Sequence, residues 1–296
     1  QLLTRIAMNY RSNSILTHIP QNRDGESILK QALFFTNALN MRIFLLDVIK
    51  TGPAIFHNPK SKRNKIRHQK ALEKFTDFVK NSLGTAIPDN IILRIGWGKI
   101  INTLIAESER GGYDFVMIDK SKHANNEHLS PADVSRYVSK SYCPVLSVNK
   151  EYPINEIKSI VVPIDISQHT KKRLYWVTFF AKRLKAKIHI VSALHIDIEE
   201  RKSLAYKNAE KIRKMLEQRG VECEVKILKV HDRERHTAIL NYIEEVNAGM
   251  VMIRTHQESR FTGKKIGKFV SAIVHGCNKP VFTVGGVTQK YDLDAI

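Results

Sequence analysis

The sequence predicts an α/β fold built from two tandem doubly wound domains, each a parallel β-sheet with helices on both faces. Short runs rich in β-branched residues alternate along the chain with amphipathic segments of helical period, an order typical of parallel sheets. Most of these runs are continuously apolar, as strands buried on both faces are. The whole order occurs twice, and a length of 296 residues suits two domains of about 150 residues each.

The repeat is clearest at two apolar runs in the middle of the chain. The first of them, Pro144–Val148, has a close counterpart at Pro280–Val284 near the end of the chain. The second, Ile160–Ile164, has a weaker counterpart at Ser14–Pro20 near the start. A polar connection separates the two central runs, so the end of one unit and the beginning of the next lie there.

We therefore predict a first domain at residues 1–150, in which residues 1–13 stay unassigned, and a second domain at residues 151–296. Positive charge is shared between them: 22 Lys and Arg stand against 12 Asp and Glu in the first half, and 26 against 17 in the second. Together they give a formal charge of +19. So basic a surface makes polyanions and acidic membranes candidate neighbours, and a basic surface that is merely solvated is the alternative.

In the first half the pattern predicts five strands and four helices. Helices are indicated where apolar residues recur every three or four positions, as at Ile28, Ala32 and Phe35. A Ser-Pro start signal at Ser130 opens the last helix. The predicted elements are strand Ile15–Ile19, helix Glu26–Leu39, strand Met41–Ile49, helix Lys62–Leu83, strand Asn90–Ile95, helix Ile100–Glu109, strand Tyr113–Ile118, helix Ser130–Ser141 and strand Pro144–Val148.

The second half repeats this order. Gly220 stands where a glycine commonly closes a helix, because its backbone adopts the left-handed conformation without strain. The predicted elements are strand Ser159–Ile164, helix Gln168–Leu184, strand Ala186–Ala193, helix Ile198–Arg219, strand Val221–Val230, helix Arg233–Val246, strand Met250–Ile253, helix Lys264–Val274 and strand Val281–Val284.

Cysteine usage and hydropathy bear on the compartment. Three cysteines, Cys143, Cys223 and Cys277, form no C-x-x-C pair. A sparse and odd count favours a reducing compartment without disulfides, and we expect a cytoplasmic location. No apolar run reaches the roughly 18–20 residues that a membrane helix needs, so a soluble protein is expected.

Several runs resemble parts of the universal stress protein fold. Ile160-Val161-Val162-Pro163-Ile164-Asp165, followed by a polar turn and a long helix, resembles the opening of such a domain. Two other runs resemble the closing strand of such a domain: Cys143–Val148 and Lys279–Val284. The resemblance spans nearly the whole chain, which is similar to the tandem, two-domain members of the family.

This resemblance carries expectations about fold, function and assembly. It implies the adenine nucleotide alpha hydrolase-like fold and a non-catalytic protein that acts in the stress response by binding or regulation. It also implies that the two closing strands pair antiparallel within one chain, so that the chain mimics a family homodimer as an intramolecular pseudo-dimer. A further homodimer is compatible with this arrangement.

Family members that bind ATP resemble one another in a G-x-x-G-x9-G-[ST] loop after the fourth strand. Its glycines let backbone N–H groups approach phosphates, and the following helix N-terminus favours negative charge. In the second half the motif positions fall on Arg254, Gln257, Gly267 and Lys268, so one glycine remains. We expect ATP recognition to be weakened there.

The first half departs further from the motif. Its loop begins Asp119-Lys120-Ser121-Lys122, meets Pro131-Ala132 and keeps none of the glycines. Pro20 also stands where the second half has Asp165. We expect no nucleotide binding in this half.

A cluster of cations beside a predicted helix start marks the candidate site of the second half. Lysines hold anions as point charges where a glycine backbone is missing, and Asp165 stands at the carboxyl end of a strand, where open α/β sheets bind ligands. A solvated loop and a capping role for Asp165 are the alternatives. We expect weak binding of ATP, AMP or another phosphate anion. The candidate site residues are Pro163, Asp165, Arg254, His256, Lys264, Lys265, Gly267 and Lys268.

Other functions are less well supported by the sequence. The 12 histidines lack metal-ligand spacing, and no G-x-S-x-G elbow occurs, so no metal or catalytic site is predicted. Nucleic-acid binding is the competing hypothesis, motivated by the charge and by the basic start of helix Lys62–Leu83. Without interleaved aromatics it would be a non-specific polyanion contact. A cytosolic regulatory module of a transporter is a third hypothesis, suggested by a chain that opens with Gln1.

Overall fold

The computed structural model describes residues 12–50, 61–121, 129–164, 171–231, 234–254 and 266–285. This part of the chain contains the ten predicted strands and the eight predicted helices. Their bounds are β1 (Ser14–His18), α1 (Arg23–Leu39), β2 (Arg42–Ile49), α2 (Lys62–Leu83), β3 (Ile91–Trp97), α3 (Ile100–Arg110), β4 (Phe115–Asp119), α4 (Pro131–Lys140), β5 (Val145–Val148), β6 (Ser159–Pro163), α5 (Lys171–Leu184), β7 (Lys187–His195), α6 (Leu204–Glu217), β8 (Cys223–Val230), α7 (Arg235–Glu245), β9 (Met250–Arg254), α8 (Lys268–Gly276) and β10 (Val281–Val284).

All ten strands form one sheet, in the order β3-β2-β1-β4-β5-β10-β9-β6-β7-β8. Neighbours within each half are parallel and follow the doubly wound order 3-2-1-4-5. The closing strands β5 and β10 pair antiparallel, with Val281 opposite Ser147 and Thr283 opposite Val145. The predicted pairing is confirmed. It hides the backbone groups that either strand would otherwise expose at a sheet edge.

Helices cover both faces of this sheet, and each face has a core that runs through both halves. On one face α1, α2, α5 and α6 pack over strand residues such as Phe115 and Phe282. On the other face α3, α4, α7 and α8 pack over the next strand positions, such as Val116 and Val281. Successive strand residues point to opposite faces, so continuously apolar runs serve both cores.

Aromatic rings fill the core where the two halves meet. Phe115 comes from the first half, and Phe282, Trp176 and Phe180 come from the second, with all four side chains fully buried. Their ring centroids lie 4.8 to 6.1 Å apart. Packing at these distances couples the two halves through buried aromatic surface.

Helix α6 begins later than the sequence predicts. A helix is predicted from Ile198, whereas α6 starts at Leu204. The hydroxyl of Ser203 donates to the carbonyl of Glu200 (2.6 Å) and accepts from the N–H of Tyr206 (3.1 Å). Serine thus closes the preceding turn and caps the helix, because its side chain competes with backbone groups for helical hydrogen bonds. The predicted starts of α5, α7 and α8 lie outside the described residues.

None of the helices in the described ranges has the length and apolar character needed to cross a bilayer.

Candidate functional site

Ligand sites in open α/β sheets lie at the carboxyl edge, in the crevice where the strand order reverses. That crevice lies between β1 and β4 in the first half and between β6 and β9 in the second, since these strands are neighbours. Because β5 and β10 are antiparallel, the two carboxyl edges face opposite ends of the sheet. The chain therefore has two separate candidate sites, one in each half.

In the second half, four of the eight predicted site residues fall within the described ranges. Pro163 ends β6 and is buried, whereas Arg254 ends β9 and is partly exposed. Gly267 and Lys268 form the start of α8. The topology brings these three elements to one edge of the sheet. The other predicted site residues lie outside the described residues, so their placement stays a prediction: Asp165, His256, Lys264 and Lys265.

Within the described part of the chain, no side chain caps the start of helix α8. Gly267 at the N-cap makes no side-chain hydrogen bond, and its carbonyl accepts the N–H of Ser271 (2.9 Å). The first N–H groups of an α-helix lack partners within the helix and carry partial positive charge. The exposed Lys268 adds a full charge at the first helical position. This helix start is therefore electrostatically suited to an anion.

The equivalent helix of the first half starts with the opposite chemistry. The hydroxyl of Ser130 accepts the N–H of Asp133 (3.1 Å), and the carboxylate of Asp133 accepts the N–H of Ser130 (3.2 Å). Pro131 at the first helical position has no N–H to offer. This capping box uses N–H groups that an anion would need and places a carboxylate beside them. The start of α4 therefore disfavours an anion.

The strand ends show the same contrast. Asp119 ends β4 at the position where Arg254 ends β9. The carboxylate of Asp119 accepts the N–H of Ser121 (2.9 Å). The hydroxyl of Ser121 lies 3.0 Å from Oδ1 of Asn149 and accepts the N–H of Lys150 (2.8 Å). The loop after β4 is thereby tied to the segment after β5.

Helix α1 completes this network at the edge of the first half. The amide of Gln31 donates to the carbonyl of Asn149 (2.9 Å), and the hydroxyl of Ser27 donates to the carbonyl of Lys150 (2.7 Å). The ammonium of Lys150 lies 2.6 Å from the carboxylate of Asp24. Polar groups of the chain itself thus pair with one another at the edge where a ligand would bind.

Lys120 is a buried lysine that no sequence pattern predicts. It follows β4 and is 7% exposed, and its ammonium donates to the carbonyl of Lys279 (2.9 Å) in the other half. Burial lowers the pKa of Lys120 to about 8, against the smaller opposing influences of Cys277 and Asp119. The side chain therefore connects the first half to the start of β10 in the second half.

The structure brings together histidines that are distant in sequence. The rings of His195 and His231 lie 6.0 Å apart where β7 and β8 end, and Nδ1 of His195 is 3.3 Å from the carboxylate of Asp197. Sequence spacing could not indicate this pair, because it forms across neighbouring strands. Across the described ranges, no group of three His, Cys, Asp or Glu side chains could hold a metal ion.

Comparison with known proteins places this geometry in a family. Residues 156–285 match the model of the Universal stress protein family. A crystal structure of a universal stress protein from Archaeoglobus fulgidus DSM 4304 has a TM-score of 0.67 at 17% identity, covering 93% of this chain and 99% of that one. A functionally unknown protein from Pseudomonas aeruginosa PAO1 has a TM-score of 0.64 at 19% identity, covering 95% of each chain.

The comparison with curated proteins returns no match. At such low identity the structural likeness shows the fold, and it extends through both halves. The family match lies within the second half. Residues 156–285 therefore match the universal stress protein family, and the chain as a whole has the fold of universal stress proteins in a tandem arrangement.

Proposed function

We propose that the chain is a non-catalytic stress-response binding protein in which the second half alone keeps a site for a phosphate-bearing ligand. The contrast between the two helix starts carries this proposal. Helix α8 starts at Gly267 beside Lys268, with no cap from any described side chain, whereas α4 starts in the capping box of Ser130 and Asp133. A free helix N-terminus with an adjacent cation attracts phosphate, and a capped one with an adjacent carboxylate repels it.

The ligand is ATP, AMP or another phosphate anion, bound more weakly than by the glycine-bearing members of the family. Arg254 places a side chain where such loops need close backbone approach. Lys268 replaces the small hydroxyl expected after Gly267. Its ammonium attracts phosphate but does not reproduce the compact hydrogen bond of a hydroxyl. Phosphate charge, more than the adenine base, then determines affinity.

The buried thiols support binding without catalysis. Burial raises the pKa of the Cys143 thiol to about 12 and also raises the pKa of the Cys277 thiol. Protonated, buried thiols are poor nucleophiles. The pairing of β5 with β10 supports an intramolecular pseudo-dimer, and a homodimer of such chains is compatible with it. The sparse and odd number of cysteines supports a cytoplasmic location.

Calorimetry with ATP, AMP and inorganic phosphate tests the proposal. We expect weak binding of all three ligands to the wild type, and its loss in a variant that combines Lys264→Ala, Lys265→Ala and Lys268→Ala. The control is Lys99→Ala, at the start of α3 in the first half, and it should bind as the wild type does. Tight, adenine-dependent ATP binding that does not respond to the three lysines contradicts the proposal.

A further inference from the structure

The two helical faces of the sheet differ in charge. On the face formed by α1, α2, α5 and α6, α2 carries seven Lys and Arg against two acids, α6 four against two, and α1 two against two. The segment of α5 from Leu174 to Leu184 adds two cations and no acid. On the opposite face α3 and α7 each carry one cation against two acids, α4 two against one, and α8 one against none. The helix residues counted on the first face, called the basic face below, thus carry a net charge of +9. Those on the opposite face carry no net charge.

The lysines of α6 are not neutralised by the acids of the same helix. Arg213 contacts both of these acids, Glu210 at 2.9 Å and Glu217 at 2.6 Å. An open groove of about 420 Å³ runs along this helix and is also bordered by Arg201. Three exposed lysines line the groove without an ion pair to any described residue: Lys207, Lys211 and Lys214.

Helix α2 has an even stronger excess of positive charge. Its first nine residues hold five Lys and Arg and no acid, and in the described ranges none of its cations forms an ion pair. Arg63 and Arg67 lie one turn apart, as do Arg67 and Lys70, and like charges at this spacing repel. Cations in the first turn also oppose the helix dipole. Apart from Arg67, whose guanidinium lies over the ring of Trp97, these cations gain no ion pair from the described part of the fold, whereas an external polyanion would neutralise them.

We propose that the basic face binds duplex nucleic acid through its phosphates, without reading base sequence. Helices α2 and α6 pack beside the edge strands β3 and β8, so they form the two flanks of the face. Four helices packed side by side place these flanks about 25–30 Å apart. One turn of B-DNA advances by about 34 Å, so a single duplex is long enough to contact both flanks.

The surroundings of the cations favour a duplex over a single strand or a membrane. Trp97 is covered by the guanidinium of Arg67 at 5.4 Å and by the ring of His68 at 6.5 Å, so it offers no open platform for base stacking. Among the described residues of these four helices, the large exposed apolar side chains are Ile66 and Leu204, one on each flank. Two separated side chains do not make the apolar strip with which a helix enters a bilayer.

Fluorescence anisotropy across a salt series tests this proposal with unrelated duplexes of about 24 base pairs, roughly two helical turns. One variant removes charge from α2 (Lys62→Gln, Lys65→Gln, Lys70→Gln) and another from α6 (Lys207→Gln, Lys211→Gln, Lys214→Gln). The matched control removes the same charge from the opposite face, at exposed positions (Lys99→Gln, Arg136→Gln, Lys140→Gln).

We expect each flank variant to lose at least about tenfold in affinity near 0.1 M salt and to show a shallower salt dependence, because fewer counterions are released. The control should stay within about twofold of the wild type, and unrelated duplexes should bind alike. Lys→Arg at the six flank positions keeps the charge and should keep the affinity. This variant separates a charge effect from a folding defect.

Equal losses in the control and the flank variants would show that net charge alone attracts the duplex, and the proposal would be wrong. A strong preference for one duplex sequence would also contradict it. So would the absence of duplex binding at low salt. In that case vesicles containing phosphatidylserine distinguish a membrane-binding face from a merely solvated one.

Discussion

Replacing Phe282 by alanine is expected to lower the free energy of unfolding by about 3–5 kcal/mol, the usual cost of removing a large buried ring. Phe282 is fully buried on β10, and its ring centroid lies 5.5 Å from Phe115 in the other half. It also packs against Trp176 and Phe180 at 5.1 and 4.8 Å. Because the contact with Phe115 joins the two halves, the loss of the Phe282 ring should destabilise both halves together.

Chemical denaturation measures the change in the free energy of unfolding. Hydrogen exchange of β5 and β10 in the native protein shows whether both halves are destabilised. Phe75→Ala is the matched control, since Phe75 is fully buried on α2, away from the core where the two halves meet. We expect Phe282→Ala to speed exchange in β5 as well as in β10, and Phe75→Ala to act mainly in the first half. If β5 stays fully protected in Phe282→Ala, the two halves are not coupled through this core.

The second large effect concerns the buried ammonium of Lys120. Its pKa is about 8 in the folded chain against 10.5 for an unperturbed lysine. Between these values the unfolded chain binds more protons, so stability rises with pH across this window. The contribution amounts to about 3 kcal/mol, since one pKa unit corresponds to about 1.4 kcal/mol. Lys120→Met should lack this rise.

The readout is the difference in unfolding free energy between wild type and Lys120→Met from pH 7 to pH 10.5. The difference is needed because burial raises the pKa of the Cys277 thiol, an electrostatic neighbour of Lys120. A raised thiol pKa makes stability fall with pH, which is opposite to the effect of Lys120. Lys140→Met, at an exposed lysine of α4, should follow the wild type at every pH. A constant difference between wild type and Lys120→Met contradicts a lysine that is buried and charged.

Periodicity and breaker residues were enough to predict every element of the described fold. Helix α2 begins and ends at the predicted residues, because Ser61 and Gly84 provide its caps. The antiparallel pairing of β5 with β10 was predicted from the family resemblance. The domain boundary between residues 150 and 151 stays a prediction. Local signals failed at α6, where the bonds of Ser203 outweigh the apolar pattern that starts at Ile198.

The candidate sites were predictable only in outline. Missing glycines predict a weakened loop in both halves, but they do not show how the polar groups at the edge of the first half pair with one another. That depends on bonds between distant segments, such as those that join Ser121 to Lys150 and Gln31 to Asn149. The burial of Lys120 likewise depends on the start of β10 in the other half. Contacts between residues so far apart in the chain produce no periodic pattern in the sequence.

Hydrogen exchange of the intact chain with and without AMP, ATP or inorganic phosphate tests the central claim most directly. The claim is that the second half alone offers an anion site. It predicts slower exchange at the start of α8, around Gly267 and Lys268, with no change at Asp119–Ser121 or at Ser130–Asp133 in the first half. Equal protection at both edges, or protection confined to the first half, would contradict it.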